Sequence, residues 1–325
     1  MCEYNQKLFW VSFLSVPFYL APMAEISHRA LRELIEGFGG CSLYFSEMIS
    51  AAALFAGGPF EKWYIDAGPK PEKCVFQLVG SDIDVMSRAA GLLDRYDCAG
   101  IDINMGCSAP LIRKSGAGAA WMASINRAGE LVSRIRPQVK RRLSVKLRTG
   151  FKDDFEYLAR FCRRLEDEGI ELITLHPRTV TEKFKRLAKW EYVGALRKEL
   201  KIPVAGNGDI DSADALIRRA AGPCDAVMAG RAAVKMPWIF AQANPDILKA
   251  CPQTQPPFEE IGLRFIELLA KHQPAEFHIS RARRFFGFFC DNLKWGTFIK
   301  NQINLEQSLL GIEKVWRGYF NENCG

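Results

Sequence analysis

The chain has 325 residues, of which 48% are apolar and 25% charged, and its 44 Lys and Arg residues against 37 Asp and Glu residues give a net charge of +7. An apolar share of this size is typical of a globular protein and excludes a disordered, collagen-like or low-complexity chain. The length fits two domains of about 100–200 residues each, or one α/β barrel of about 250 residues with an appended domain.

Ten cysteines are spread along the chain, with no CxxC motif and no cysteine–histidine pair at zinc-binding spacing. This distribution predicts reduced, mostly buried thiols in a cytoplasmic protein that has no metal site. The run Leu8–Leu20 resembles the apolar part of a signal peptide, but Glu3 precedes it, Pro17 interrupts it, and cleavage after it would remove the first predicted strand. No run reaches the roughly 20 apolar residues of a membrane span, so no membrane association is predicted.

Short apolar runs of strand length recur, each followed by glycine, polar or charged residues and then a helical pattern. Eight strands are predicted, at 18–24, 42–48, 74–80, 100–106, 143–149, 172–178, 202–209 and 226–232. Apolar strands that alternate with helices predict a parallel sheet buried on both faces. The periodicity alone leaves an open doubly wound sheet and a closed (β/α)8 TIM barrel as alternatives, and eight units in about 225 residues favour the barrel.

Helices are predicted between strands at 82–96, 154–169 and, with Ser212 as its cap, 212–220. The composition changes after residue 241, where a proline-rich stretch at 252–257 precedes helical patterns at 258–272, 279–294 and 304–317. We therefore predict a catalytic barrel domain over residues 1–241 and a small all-α, RNA-binding domain over residues 242–325.

The predicted helical domain interleaves basic and aromatic side chains, namely Arg281, Arg283, Arg284, Lys294 and Lys300 with Phe285, Phe286, Phe288, Phe289 and Trp295. This mixture suits an RNA-binding surface, because basic groups meet phosphates and aromatic rings stack on bases. Four phenylalanines within five helical positions are also typical of a packed core, so both interpretations stay open.

Glycine-rich turns follow the last two predicted strands, in the sequences GNGDI at 206–210 and AGRAA at 229–233. Turns of this kind, each leading into a helix, expose backbone N–H groups and form phosphate sites at the mouth of a barrel. Arg231 can add a charge-assisted contact to the same phosphate. Glycine turns are also ordinary loop chemistry, and it is their position after strands seven and eight that favours a phosphate-bearing ligand.

Lys146 and His176 end neighbouring predicted strands and are expected at the mouth of the barrel. A lysine within an apolar strand is costly to bury unless it faces an anionic or carbonyl-rich partner, such as an electron-rich ring. His176 can donate a hydrogen bond to the same ring, with a structural core histidine as the alternative.

Cys107 lies just beyond the fourth predicted strand, in a glycine-containing loop with Arg113 and Lys114 nearby. Exposure and a positive field are what make a thiol reactive. Cys107 is therefore the predicted reactive cysteine of the ten, with a packing role as the alternative.

Seven motifs occur in order along residues 18–240: LAPMA (20–24), FQLVGSD (76–82), DINMGC with KSGAGAA (102–107 and 114–120), VKLRTG (145–150), LHPRT (175–179), GNGDI (206–210) and GRAA (230–233). In their order and spacing the chain resembles the tRNA-dihydrouridine synthase family. The resemblance implies a TIM barrel that binds FMN and whose catalytic cysteine is Cys107. It implies that the ring and chain of FMN are held by Pro22, Met23, Ala24, Gln77, Lys146 and His176, and its phosphate by Asn207, Gly208, Asp209, Gly230 and Arg231.

The resemblance also implies the reaction, in which NADPH reduces FMN, a hydride reaches C6 of a uracil in tRNA, and Cys107 protonates C5. Asn104 is expected to hydrogen-bond the uracil, while Lys114 and Arg178 are expected to contact the RNA. A monomer is expected. Two alternatives remain: a flavin enzyme that acts on free pyrimidines, similar to dihydroorotate dehydrogenases, and a flavin-containing RNA-binding protein that has lost catalysis.

The chain departs from the family pattern mostly on the side expected to meet RNA. Ser108 stands where proline is common, His28 lies in an altered element after the first strand, and Glu182 and Phe184 replace the usual Gln and Tyr. These departures leave the expected flavin chemistry intact and leave the target uridine open.

Overall fold

The computed structural model describes residues 16–182, 186–244 and 257–323. Within these ranges, parallel strands form one closed barrel in chain order. They are β1 (Phe18–Leu20), β2 (Leu43–Ser50), β3 (Cys74–Val79), β4 (Gly100–Met105), β5 (Arg142–Arg148), β6 (Leu172–His176), β7 (Val204–Asn207) and β8 (Ala226–Ala229). β8 pairs with β1, with Phe18 opposite Val227, and this pairing closes the ring. The predicted (β/α)8 barrel is confirmed, and the open sheet is excluded.

Four strands end two to four residues earlier than predicted, because the chain turns away from the sheet where the apolar pattern continues. β1 ends at Leu20, β6 at His176, β7 at Asn207 and β8 at Ala229. After β7, Gly208 has φ +123 and Asp209 has φ +52, and no strand can pass through backbone of that kind. The residues predicted to extend β1, β6 and β7 form loops at the mouth instead, and those after β8 form a turn at Gly230 and the start of a helix at Arg231.

Helices and short helical turns cover the outside of the barrel. They are α1 (Arg29–Glu36), α2 (Ala51–Ala56), α3 (Glu61–Tyr64), α4 (Ile83–Leu93), α5 (Pro110–Lys114), α6 (Ile125–Ile135), α7 (Phe155–Asp167), α8 (Glu191–Glu199), α9 (Ala213–Ala220), α10 (Arg231–Lys235) and α11 (Ile239–Gln242). The helices predicted between strands correspond to α4, α7 and α9. The side chains of Asp82, Asp154 and Ser212 cap them by accepting a first-turn N–H.

The interior of the barrel is apolar at one end and polar at the other. The apolar end packs side chains that include Tyr19, Phe45, Val75, Leu172 and Met228. Since alternate residues of a strand point inward, the next inward positions form a polar layer, made of Gln77, Asp102, Ser144 and Thr174, all 0% exposed. One further step toward the carboxyl ends brings Asn104, Lys146 and His176 to the mouth.

The C-terminal region is helical, with α12 (Phe258–His272), α13 (Ala275–Phe289), α14 (Gly296–Leu305) and α15 (Leu309–Asn323). α12 has the predicted bounds, and α13 begins and ends earlier than predicted. The single helix predicted over 304–317 is wrong. The chain is extended at Glu306, and the Ser308 hydroxyl accepts the N–H of Gly311 at 3.0 Å as the next helix begins.

Aromatic rings form the core of this helical region. The Phe265 and Phe285 rings stack with their centroids 3.7 Å apart, and Phe286, Phe289 and Trp316 pack around them. The core interpretation is therefore confirmed for Phe285, Phe286 and Phe289, which are buried.

A buried ion pair joins the helical region to the barrel. Arg281 Nη1 on α13 lies 2.6 Å from Glu47 Oε2 on β2, and the side chains are 2% and 3% exposed. A second contact joins His272 Nε2 on α12 to Glu33 on α1 at 3.1 Å. The interpretation of Arg281 as part of an RNA-binding surface is therefore wrong, because its guanidinium is used inside the protein.

Within the described ranges, no helix has both the length and the apolar character needed to cross a bilayer. Several features named from the sequence lie outside the described residues: most of the run Leu8–Leu20, residue Phe184, and positions 252–256 of the proline-rich stretch.

The buried pair predicts a large loss of stability when one partner is removed. Glu47→Ala leaves Arg281 buried without its counter-charge, which should lower the free energy of unfolding by about 3–5 kcal/mol. As a control, Glu199→Ala removes a carboxylate from an exposed pair with Arg163, for which we expect a loss below about 1 kcal/mol. Urea unfolding of both variants checks this, and equal losses would contradict the role given to the buried pair.

Candidate active site

Cys107 is the most accessible thiol of the described chain. Of the seven cysteines in the described residues, six are buried, and Cys107 alone is partly exposed. It follows β4 at the carboxyl end of the barrel, where loops carry function in this fold. The structure thus brings the predicted reactive cysteine to the mouth.

Four hydrogen bonds from side-chain and backbone groups hold the Cys107 loop. Asn104 Oδ1 accepts the N–H of Cys107 at 2.9 Å and that of Gly106 at 3.2 Å. Arg148 Nε donates to the Gly106 carbonyl at 3.1 Å. The Cys107 carbonyl accepts the N–H of Ala119 at 3.0 Å. The thiol is therefore carried by a loop that is fixed on both sides.

Gly118 allows this loop to pack closely. Its φ is +58, and a Cβ built on it would lie 2.8 Å from the Cys107 carbonyl oxygen and 3.1 Å from Cys107 Cβ. No side chain fits there, so the second glycine of KSGAGAA lets the backbone of the two segments approach. Lys114 lies exposed at the end of α5 in the same loop.

Lys146 lies on β5 opposite Asn104 of β4 and is partly buried. Burial, together with the nearby positive charge of Arg148, lowers the pKa of Lys146 to about 8, while the negative charge of Asp102 opposes this shift. The ammonium group is therefore charged at neutral pH but loses its proton more readily than an exposed lysine.

His176 is a neutral ring with a defined tautomer. Arg178 Nη1 lies 2.9 Å from His176 Nε2, and since a guanidinium only donates, Nε2 accepts and the proton sits on Nδ1. Burial and the positive charges of Lys146, Arg148, Arg178 and Arg231 lower the pKa of His176 to about 2. The ring therefore stays neutral at physiological pH and can donate through Nδ1.

Arg178 is only 3% exposed, and its guanidinium binds protein groups. Nη2 pairs with Asp209, and Nε donates to the Arg186 carbonyl at 2.5 Å. Asp209 Oδ2 also accepts the N–H of Ala188 at 2.6 Å. Contact between Arg178 and RNA stays a prediction, and it would require the guanidinium to leave some of these partners.

The glycine turns after β7 and β8 lie where a phosphate site was predicted. A Cβ on Gly208 would lie 2.9 Å from the His176 ring, and one on Gly230 would lie 3.4 Å from Met23 Sδ. Asn207 Nδ2 donates to the Met228 carbonyl at 2.8 Å and joins the two strands. The turns thus bring residues from β1, β6, β7 and β8 together at one side of the mouth.

The remaining predicted residues occupy different depths. Pro22 and Met23 are partly buried, while Ala24 and Arg231 are exposed. Gln77 is fully buried in the polar layer and reaches the mouth through its hydrogen bond to Asn104 at 2.8 Å. A ligand at the mouth would meet Asn104 before Gln77.

The sequence interpretation did not assign a role to Asp102, Arg148 or Trp190. Trp190 Nε1 donates to the Gly208 carbonyl at 3.0 Å, and its ring fills the space beside Gly206. The alternation of inward positions was a usable signal for Asp102 and Arg148, because each is two residues from an assigned site residue on its own strand. This signal does not apply to Trp190, which lies in the loop between β6 and α8 and not on a strand.

The close approach at Gly118 yields a matched pair of variants. Gly118→Ala and Gly57→Ala both place alanine at positive φ, at a cost of about 1–2 kcal/mol, but a Cβ on Gly57 meets nothing within 4 Å. We expect only Gly118→Ala to displace the Cys107 loop and to speed alkylation of Cys107 by iodoacetamide several-fold. Peptide mapping by mass spectrometry measures the rate at Cys107, and equal rates in the two variants would refute the packing role.

Comparisons with known proteins identify the family to which the chain is similar. A family model described as dihydrouridine synthase matches residues 19–321. The chain is 27% identical over 306 residues to a probable tRNA-dihydrouridine synthase of Rickettsia bellii, covering 92% of this chain and 93% of that protein. It is 32% identical over 274 residues to a probable tRNA-dihydrouridine synthase of Mycobacterium tuberculosis, covering 80% of this chain and 70% of that protein.

Among solved structures, histamine dehydrogenase from Rhizobium sp. 4-9 matches with a TM-score of 0.53 and 14% identity, covering 82% of this chain and 51% of that chain. This likeness is one of fold. The extent of the family match and the identity to the relatives show more: the chain belongs to the dihydrouridine synthase family of oxidoreductases.

Proposed function

We propose that the protein reduces the C5–C6 double bond of uridines in tRNA, with FMN as its flavin and NADPH as the electron source. The observation that carries the proposal is the position of Cys107, a partly exposed thiol beside Asn104 and Lys146 at the mouth of the barrel. The names of the relatives, tRNA-dihydrouridine synthases, support the substrate.

The donors at the mouth fit a flavin. Lys146 and the Nδ1–H of His176 can donate to a carbonyl-rich ring, and Gly208 and Gly230 are partly exposed glycines whose missing side chains leave room for a phosphate near the backbone. Arg231 begins α10 beside the second turn. Pro22, Met23 and Ala24 would line the ring from the β1 side, with Asn207 and Asp209 at the phosphate end. When bound, the flavin supplies the hydride for C6 of the uracil.

Cys107 supplies the proton. Addition of a hydride to C6 leaves negative charge on C5 and its neighbouring carbonyl, and one proton completes the reduction. A thiol at the mouth of the barrel can donate its proton to such a carbon, so Cys107 acts as the general acid. Asn104 binds the backbone of Cys107 through Oδ1, and we propose that it also meets the edge of the uracil.

The RNA would meet both parts of the protein. A uracil has to leave its stack to reach the mouth, which favours a nucleotide in a loop. Lys114 is exposed beside Cys107, and in the helical region Lys294 lies 5.6 Å from the Trp295 ring, which is 57% exposed. We propose that these groups contact phosphates and bases, and that residues 1–241 form the catalytic domain and residues 242–325 the RNA-binding domain. The free cysteines support a cytoplasmic location.

Single-turnover experiments test the role of Cys107. Cys107→Ala should be reduced by NADPH at the normal rate, yet its reoxidation by tRNA should slow by about 10²–10⁴-fold, the usual contribution of a general acid. Cys224→Ala, the same change at a buried thiol, should leave both rates unchanged. Normal reoxidation of Cys107→Ala would contradict the assignment of Cys107 as the general acid. Reoxidation by free uracil or orotate, with tRNA inert, would favour the dehydrogenase of free pyrimidines.

The titration of Lys146 predicts a pH dependence of FMN binding. The charged ammonium makes the stronger hydrogen bond, and its pKa is about 8, so affinity should be constant near pH 7 and should fall as the pH rises above about 8. Lys146→Met should bind about tenfold more weakly with a flatter pH profile. Fluorescence titration of FMN between about pH 7 and 9.5, where its phosphate is fully ionised, measures this. Identical profiles for the two proteins would contradict the contact.

A further inference from the structure

The polar layer holds a carboxylate that the proposed reaction does not use. Asp102 on β4 is 0% exposed. Its Oδ1 accepts the Ser144 hydroxyl at 2.5 Å, and its Oδ2 accepts Gln77 Nε2 at 2.7 Å. A buried charge is costly unless it is hydrogen-bonded, and these two bonds offset part of that cost.

A chain of hydrogen bonds runs from this carboxylate to the catalytic loop. At the other end of the Gln77 amide, Oε1 accepts a hydrogen bond from Asn104 Nδ2 at 2.8 Å. Asn104 Oδ1 in turn accepts the N–H of Cys107 at 2.9 Å. Each bond has ordinary length and joins side chains on the neighbouring strands β3 and β4, with the last bond reaching the loop after β4.

The donor-to-acceptor direction of this hydrogen-bond chain is set at both of its ends. An ionised carboxylate only accepts, so Gln77 has to turn its NH₂ toward Asp102 and its carbonyl toward Asn104. Asn104 then has to turn its NH₂ toward Gln77, which leaves its carbonyl for Cys107. Asn104 is held in this orientation from the other end as well, because the backbone N–H groups of Cys107 and Gly106 can only donate to its Oδ1.

We propose that Asp102 is a positioning residue for Cys107, and that its carboxylate, acting through Gln77 and Asn104, holds the N–H of Cys107 and so the thiol at the mouth. The effect on catalysis rests on the proposed function, whereas the hydrogen-bond chain can be tested without it.

The hydrogen-bond chain from Asp102 to Cys107 should weaken in mild acid. The hydrogen bonds from Ser144 and Gln77 and the positive charge of Lys146 on β5 favour the charged form of Asp102. Burial outweighs them and raises the pKa of Asp102 to about 6. Below that pH the carboxyl gains an O–H that can donate, so the amide of Gln77 is no longer held in one orientation. Above that pH the hydrogen-bond chain has a single donor-to-acceptor direction.

Two variants and a matched control separate this role from a general structural one. Asp102→Asn removes the charge and presents an amide that can face Gln77 with either end. Gln77→Met breaks the chain in its middle at similar side-chain volume. The control, Ser144→Ala, removes the other hydrogen bond of Asp102 but leaves the path to Cys107 complete.

Hydrogen exchange of the full-length protein without cofactor gives the direct measurement. At pH 8, protection of the Cys107 amide should fall about tenfold in Asp102→Asn and Gln77→Met, the loss of one buried hydrogen bond, and should be unchanged in Ser144→Ala. In the wild type, protection should fall as the pH drops through about 6, and in Ser144→Ala this fall should begin at higher pH because a bond to the charged form is gone. Asp102→Asn should show no such step.

Half-reactions supply the catalytic measurement. In Asp102→Asn, reduction by NADPH should be unchanged and reoxidation by tRNA should slow by about tenfold. Equal protection of Cys107 in wild type and Asp102→Asn, or no step near pH 6 in the wild type, would overturn the proposal. The wild-type pH series decides the matter even if a variant fails to fold. A failure of the proposed function would appear separately, as full activity of Cys107→Ala.

Discussion

The alternation of side chains along the barrel strands is the constraint on which the site depends. Every second residue of a strand points inward, and the inward positions change from apolar to polar between the two ends of the barrel. This change places a buried polar layer directly beneath Asn104, Lys146 and His176. The mouth therefore rests on hydrogen-bonded groups that cannot move independently, so a reactive thiol can be held in one position there.

A buried ion pair joins the barrel to the helical region. Glu47, near the carboxyl end of β2, pairs with Arg281 of the helical region, and its other oxygen accepts the N–H of Glu25 at 2.6 Å. One carboxylate thus holds both a helix and the loop after β1. On the opposite side of the mouth, Asp209 holds Arg178 and the backbone of Ala188. These two acids organise loops that carry the proposed ligand contacts.

Much of this could be predicted from the sequence, since strand periodicity and turn chemistry are local. All eight strands and the position of Cys107 follow from such patterns. The sequence could not predict where strands end, because apolar residues such as Ala24 continue the pattern past the turn. It could not predict the burial of Arg281 either, because its partner Glu47 is 234 residues away. The helix break at Glu306 was likewise hidden in a continuous helical pattern.

The central claim is that the mouth of this barrel reduces uridine within tRNA. The most direct measurement is nucleoside mass spectrometry of an unmodified tRNA transcript after incubation with the protein, FMN and NADPH. The account predicts that dihydrouridine appears at defined positions, one for each NADPH oxidised in the coupled reaction. NADPH oxidation with every uridine of the transcript intact would contradict it.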